Sequence, residues 1–139
     1  MNAATFNFQL VSPEKILVSE SAWQVVIPGE EGYFGVRAGH MSLVAAVRAG
    51  VVEVYAKEGD TPKKIFIAGG FADVTATNCT LLAEQAVAVS ELDAAKIEAE
   101  LTKLTADMNA ATDVVERTTL GRKVALTSVK LQAAQAKAA

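Results

Sequence analysis

Up to Val89 apolar side chains mostly alternate with polar ones, and beyond Ser90 they recur every three or four residues. The first spacing is that of strands, whose side chains point to opposite faces in turn. The second is that of helices, at about 3.6 residues per turn. In the first stretch Phe6, Phe8 and Leu10 share one face, Trp23, Val25 and Ile27 another, and Val52 and Val54 oppose Val51 and Tyr55. Ile65 and Ile67 flank Phe66, and Leu81-Leu82 lead on to residues 86–89. Turn-forming residues punctuate these runs at Ser12-Pro13, Pro28-Gly29, Glu58-Gly59-Asp60, Gly69-Gly70 and Thr77-Asn78. Roughly eight to ten short strands at such spacing predict an all-β sandwich or flattened barrel, with closure protecting the edges. It covers residues 1–89.

At Ser90 the period changes. Ser90-Glu91-Leu92-Asp93 fits a capping box, in which the serine accepts an amide hydrogen bond and an acid three residues on reaches back. Ile97, Leu101, Leu104 and Met108 then fall on one stripe of a first helix. Asn109-Ala110-Ala111-Thr112 is a weak break, and Asp113-Val114-Val115-Glu116 supplies a second cap. An α-helical hairpin over residues 90–139 follows, its two helices antiparallel. The second helix carries two apolar stripes: Leu120, Val124 and Leu131 on one side, Val115, Leu126 and Val129 on another. A partner helix covers only one of them, so the other must meet the β-domain or a separate protein. Gly121 costs the helix interior about 1 kcal/mol, which makes this helix easy to unfold or re-pack.

Composition narrows the class. The 139 residues are 51% hydrophobic and 21% charged, a globular balance in a chain long enough to bury its own core. The net charge of −3 gives no support for nucleic-acid binding. The single cysteine, Cys79, cannot form an internal disulfide and fits a reducing compartment. Met1-Asn2-Ala3-Ala4-Thr5 lacks the basic and apolar regions of a signal peptide, and a transit peptide is not expected either. No apolar run is long enough to span a bilayer, so any membrane association is indirect. Charge is divided along the hairpin. Glu91, Asp93, Glu98, Glu100, Asp107 and Asp113 outweigh Lys96 and Lys103 in its first half. Arg117, Arg122, Lys123, Lys130 and Lys137 outweigh Glu116 in its second, which would suit an acidic partner surface or simple attraction between the helices.

Candidate chemistry is sparse. One histidine, His40, and one cysteine far from it in sequence make no zinc cluster, and Cys79 has no basic neighbours to activate it. The glycines of Pro28-Gly29-Glu30-Glu31-Gly32-Tyr33-Phe34-Gly35 lack the spacing of a phosphate loop and read instead as tight turns between strands. Glu30 and Glu31 would point to opposite faces of a strand, poor partners for acid–base work. No catalytic or metal-binding residues are assigned.

The order of these features resembles the epsilon subunits of bacterial F-type ATP synthases. Val11-Ser12-Pro13-Glu14 matches an early Val-Ser-Pro/Ala-Glu, and Pro28-Gly29, Gly32 and Gly35 match a spaced glycine stretch. Gly39-His40 with Leu43, then Gly50, Gly69-Gly70-Phe71 with Asp73-Val74, and Leu82-Ala83-Glu84 follow in family order. The resemblance implies a ten-stranded β-sandwich and a C-terminal helical hairpin. It also implies a non-catalytic rotor subunit, which links the gamma subunit to the c-ring and couples proton flow to ATP synthesis. The hairpin would reach the alpha and beta subunits and inhibit ATP hydrolysis. The expected location is the cytoplasmic face of the bacterial inner membrane.

By position in the glycine stretch, Tyr33 and Phe34 would face the c-ring, with His40 near the rotor interface; sandwich packing is the competing reading for both aromatics, and a structural role the favoured one for His40. Arg117, Arg122 and Lys123 would contact the beta subunit. Some relatives bind ATP through an Ile/Leu-Asp-x-x-Arg-Ala motif, where this chain reads Leu92-Asp93-Ala94-Ala95-Lys96-Ile97. Lysine lacks the planar fork of arginine, so Asp93 and Lys96 make a weak nucleotide site, Asp93 keeps a simpler capping role and no cofactor is expected. Two rival readings remain open on residues alone: a ligand-binding sandwich with a dimerisation arm, and a small Cys79-dependent enzyme.

Overall fold

The computed structural model describes residues 4–136; Met1, Asn2 and Ala3 of the N-terminal reading and Lys137 of the basic set lie outside them. The described chain divides into two compact units, residues 1–88 and 89–139.

The first unit is built from ten strands: β1 Phe6–Val11, β2 Ile16–Ala22, β3 Gln24–Gly29, β4 Gly32–Arg37, β5 Leu43–Val47, β6 Gly50–Tyr55, β7 Lys63–Ile67, β8 Gly70–Val74, β9 Asn78–Ala83 and β10 Ala86–Ala88. They are paired in the order β10-β7-β6-β3-β5-β8-β9-β1-β2, with β4 added on β3. The result is a flattened, nearly closed sandwich. Most pairs are antiparallel, but β1 lies parallel to β9 and so joins the start of the unit to its end. Strand alternation decides the core. Phe8, Cys79 and Val74 lie in one register row and Leu10, Leu81 and Ala72 in the next, all fully buried. Val25, Ile27, Val52, Ile65 and Ile67 come in from the other strands. Each large side chain so buried contributes about 1.5–3 kcal/mol. Lys63 reaches Glu20 at 3.1 Å, a partly exposed ion pair between β7 and the edge strand β2.

Gly70 shows what the close strand approach demands. Its φ is +154°, and a Cβ there would run into the carbonyl oxygen of Leu82 on β9. Only glycine fits.

The second unit holds a 3-10 turn at Val89–Glu91, then α1 Ala94–Ala110 and α2 Val114–Ala136. The capping box expected at Ser90 is corrected by this geometry. Asp93, extended at φ −113° and ψ 106°, is the N-cap, and its Oδ1 accepts the Ala95 and Lys96 amides at 3.1 and 3.3 Å. Leu92 is buried and its amide closes the preceding turn on the Val89 carbonyl at 3.1 Å, so the helix starts one turn later. The second cap is as read: Asp113 Oδ2 accepts the Glu116 amide at 3.1 Å. On α1, Ile97 is buried and Leu101, Leu104 and Met108 half-buried, the stripe the spacing predicts. On α2, Leu120, Val124 and Leu131 are half-buried, as are Leu126 and Val129, but Val115 is 72% exposed.

Candidate binding surfaces

Strand register assembles an apolar row on the outside of the sandwich. Ala46 on β5 is opposite Phe71 on β8, Phe71 opposite Leu82 on β9, Leu82 opposite Val11 on β1, and Val11 opposite Ile16 on β2. Residues directly opposite in a sheet point to the same face, so the five form one band across five strands. Phe71 and Ile16 are each 58% exposed and Leu82 44%. The next row outward is polar apart from its first member: Val44, Asp73, Thr80, Gln9 and Ser19. A continuous apolar band with three large side chains, Phe71, Leu82 and Ile16, left in water and Val11 and Ala46 half-buried between and beside them marks a surface for a partner.

A second feature lies at the turn between β3 and β4. An open groove of about 510 Å³ is lined by residues that include Glu30, Glu31, Tyr33, Phe34, Leu43 and Val44. The turn is held from below by the Glu30 amide on the Ala46 carbonyl at 3.2 Å and the Arg48 amide on the Pro28 carbonyl at 2.9 Å. Tyr33 is 55% exposed, yet its orientation is fixed. The Arg48 guanidinium lies 4.9 Å from its ring centre, and a Cβ on Gly50 would sit 3.3 Å from its hydroxyl. Phe34 is half-buried and packs against the sandwich core. Tyr33 and Phe34 thus line one groove, where a partner would meet apolar walls and two free carboxylates.

His40 does not line the groove. It sits in the loop after β4, where its amide bonds the Arg37 carbonyl at 3.1 Å and its Nδ1 faces the Met41 carbonyl at 2.7 Å. A carbonyl only accepts, so Nδ1 carries the proton, which suits a loop-forming role. At this same end of β4, Arg37 stacks 4.3 Å from the Trp23 ring, and Trp23 meets Tyr55 edge-on at 6.5 Å. Tyr55 donates its hydroxyl to Glu53 Oε2 at 3.0 Å, and that bond raises its pKa.

In the second unit Arg117, Arg122 and Lys123 are all exposed. At about 100° per residue Arg122 and Lys123 lie roughly 140° and 240° around α2 from Arg117, so the three do not form one basic face. Asp93 spends one carboxylate oxygen on two backbone amides, and Lys96 is exposed one turn into α1. Cys79 offers no nucleophile: it is fully buried, and burial, with the nearby Asp73 charge, pushes its thiol from 9.0 up to about 12. Among the described residues no group of three potential metal ligands comes together, and no helix is long and apolar enough to cross a membrane.

The sequence pattern marks Phe71 only as part of a motif and Leu82 only as part of a motif and a strand, and gives no sign of Ile16, Val44 or Arg48. The available signal was phase. Phe71 sits between Gly70 and Ala72, at the position that alternation sends outward, where a large aromatic has no core to fill.

Residues 5–89 match the family described as ATP synthase, Delta/Epsilon chain, beta-sandwich domain. Over 133 residues the chain is 44% identical to the ATP synthase epsilon chain of Rhodospirillum centenum, covering 93% of this chain and 91% of that one. It is 42% identical to the corresponding chain of Maricaulis maris over 137 residues, with 99% and 98% covered. Among solved structures it resembles a chain of the Euglena gracilis mitochondrial ATP synthase, from a structure of its OSCP, F1 and c-ring parts. The TM-score is 0.82 at 26% identity, with 97% of this chain and 84% of that one covered. A chain of the Tetrahymena thermophila enzyme's central stalk and c-ring shares the fold, with a TM-score of 0.62 at 9% identity, over 96% of this chain and 99% of that one.

Proposed function

The chain belongs to the epsilon chains of ATP synthase, and on that premise we propose that it is a non-catalytic rotor subunit whose sandwich holds it to gamma and the c-ring. The observation that carries this reading is the exposed row Ala46–Phe71–Leu82–Val11–Ile16. A rotor subunit must transmit torque without slipping, which calls for a broad, rigid, apolar face rather than a deep pocket. Five strands in fixed register supply one. The row is the docking face for gamma. The β3–β4 turn, with Tyr33 and Phe34 along its groove and Glu30 and Glu31 at its rim, meets the c-ring.

The hairpin is the regulatory part. It reaches the alpha and beta subunits with exposed Arg117, Arg122 and Lys123 and inhibits ATP hydrolysis when it does. ATP is no cofactor of this chain, because Lys96 and Ile97 replace the arginine and alanine of the nucleotide motif. The protein works as a peripheral component on the cytoplasmic face of the bacterial inner membrane, coupling proton flow to synthesis through the complex.

Phe71→Glu tests the reading directly. Phe71 is exposed, so the variant should keep its far-UV circular dichroism, and its unfolding free energy from urea titration should stay within about 0.5 kcal/mol of wild type. Co-expressed with gamma, wild type should purify as a stoichiometric complex, and Phe71→Glu should lose most of it, since a buried unpaired carboxylate is costly. Full retention of gamma by the variant would rule out the row as the docking face. Wild-type protein that brings down no gamma would sink the rotor reading itself.

A further inference from the structure

The first two turns of α2 combine every local feature that weakens a helix. Val114, Val115, Thr118 and Thr119 are four of its first six residues, and Gly121 follows. β-Branched side chains lose χ1 freedom against the preceding turn, and glycine loses the most backbone freedom of any residue. The Thr118 and Thr119 hydroxyls donate back to the Val114 and Val115 carbonyls at 2.8 and 3.0 Å, a pattern that bends helices and slightly weakens them.

Packing does not compensate. Residues 114–119 are all exposed, Val114 and Val115 by 77% and 72%. Burial along α2 comes later, at Thr127, Ala133 and Ala134. Gly121 faces Met108 of α1, and a Cβ there would meet the Met108 sulfur at 3.7 Å, an ordinary contact that an alanine could make. The Asp113 cap supports the segment, its side chain accepting the Glu116 amide at 3.1 Å and its carbonyl the Arg117 amide at 2.9 Å. α1 differs: its first turn is capped twice over by Asp93 and buries Ile97 at once.

We propose that residues 113–121 form a built-in melting segment, which loses its helix while the rest of α2 keeps it and so sets where the hairpin opens. This deepens the regulatory reading above and rests on it for its purpose. Local opening follows burial and contact, and this stretch sits at the low end of both. As helix, nine residues span about 13 Å; extended, they reach about 30 Å. Melting them more than doubles the span of the segment itself, carrying the later turns of α2 about 17 Å further from α1, and leaves α1 intact.

Amide hydrogen exchange by NMR on the full chain tests this. In wild type, the amides of residues 118–121 should be protected at least about ten-fold less than those of residues 124–134. The combined variant Val115→Ala, Thr118→Ala, Thr119→Ala and Gly121→Ala should raise protection of 118–121 about ten-fold or more and leave the strands unchanged. Asp113→Ala should lower it. Uniform protection along wild-type α2, or a combined variant with unchanged protection at 118–121, overturns the proposal. The readout is independent of inhibition: loss of the regulatory role would appear in ATP hydrolysis after truncation, not in these amides.

Discussion

Phe71 and Ala72 are neighbours in β8 with opposite fates: the phenyl ring stands in water and the small methyl is fully buried. Size follows from what each face must do, since a crowded interior takes alanine where β8 passes close to β9, and an interface takes an aromatic. Cys79 shows the same logic for a titratable group. In the core it holds its proton up to about pH 12, whereas an unfolded thiol releases it near 9.0. The folded pKa is the higher one, so this contribution to stability is fully present below about pH 9 and is lost as pH rises toward 12. The slope is about 1.4 kcal/mol per pH unit. Urea midpoints measured from about pH 9 to pH 11 should fall faster for wild type than for Cys79→Ala. Parallel curves would show that the thiol ionises equally well in both states.

At the scale of elements, caps and periodicity carried most of the information. The strands of the sandwich and both helices were legible because alternation and helical recurrence are local. The exact start of α1 was not. Ser90 and Asp93 are both good caps, and the choice between them fell to Leu92, whose burial requires the 3-10 turn first. Asp93→Ala should therefore cost about 1 kcal/mol of hairpin stability, read from helical circular dichroism against urea. No loss would mean that the two amides it accepts find other partners. The basic residues of α2 carry a second lesson: their number in a segment was readable, but Arg117, Arg122 and Lys123 spread around the helix and give no single charged stripe.

The whole molecule divides between Ala88 and Val89. The core cluster of the sandwich draws on strands from β1 to β9 and contains no residue beyond Ala83. A chain ending after Val89 should fold, assemble with gamma and support ATP synthesis, while ATP hydrolysis by the enzyme rises. Hydrolysis equal to that of the full-length complex would defeat the inhibitory role and leave the docking role standing.

The sequence by itself determined the two periods, the turn positions, the capped hairpin and the family motif, because each of these is written in residues close together along the chain. Only the tertiary structure decided the exposed apolar row. Val11, Ile16, Ala46, Phe71 and Leu82 come from five separate strands, and their alignment depends on the register that burying Phe8, Leu10, Ala72 and Leu81 imposes on β1, β8 and β9. A slip of one residue would turn every outward side chain inward. The core therefore fixes the surface, and no local reading of five short strands could have put those side chains side by side.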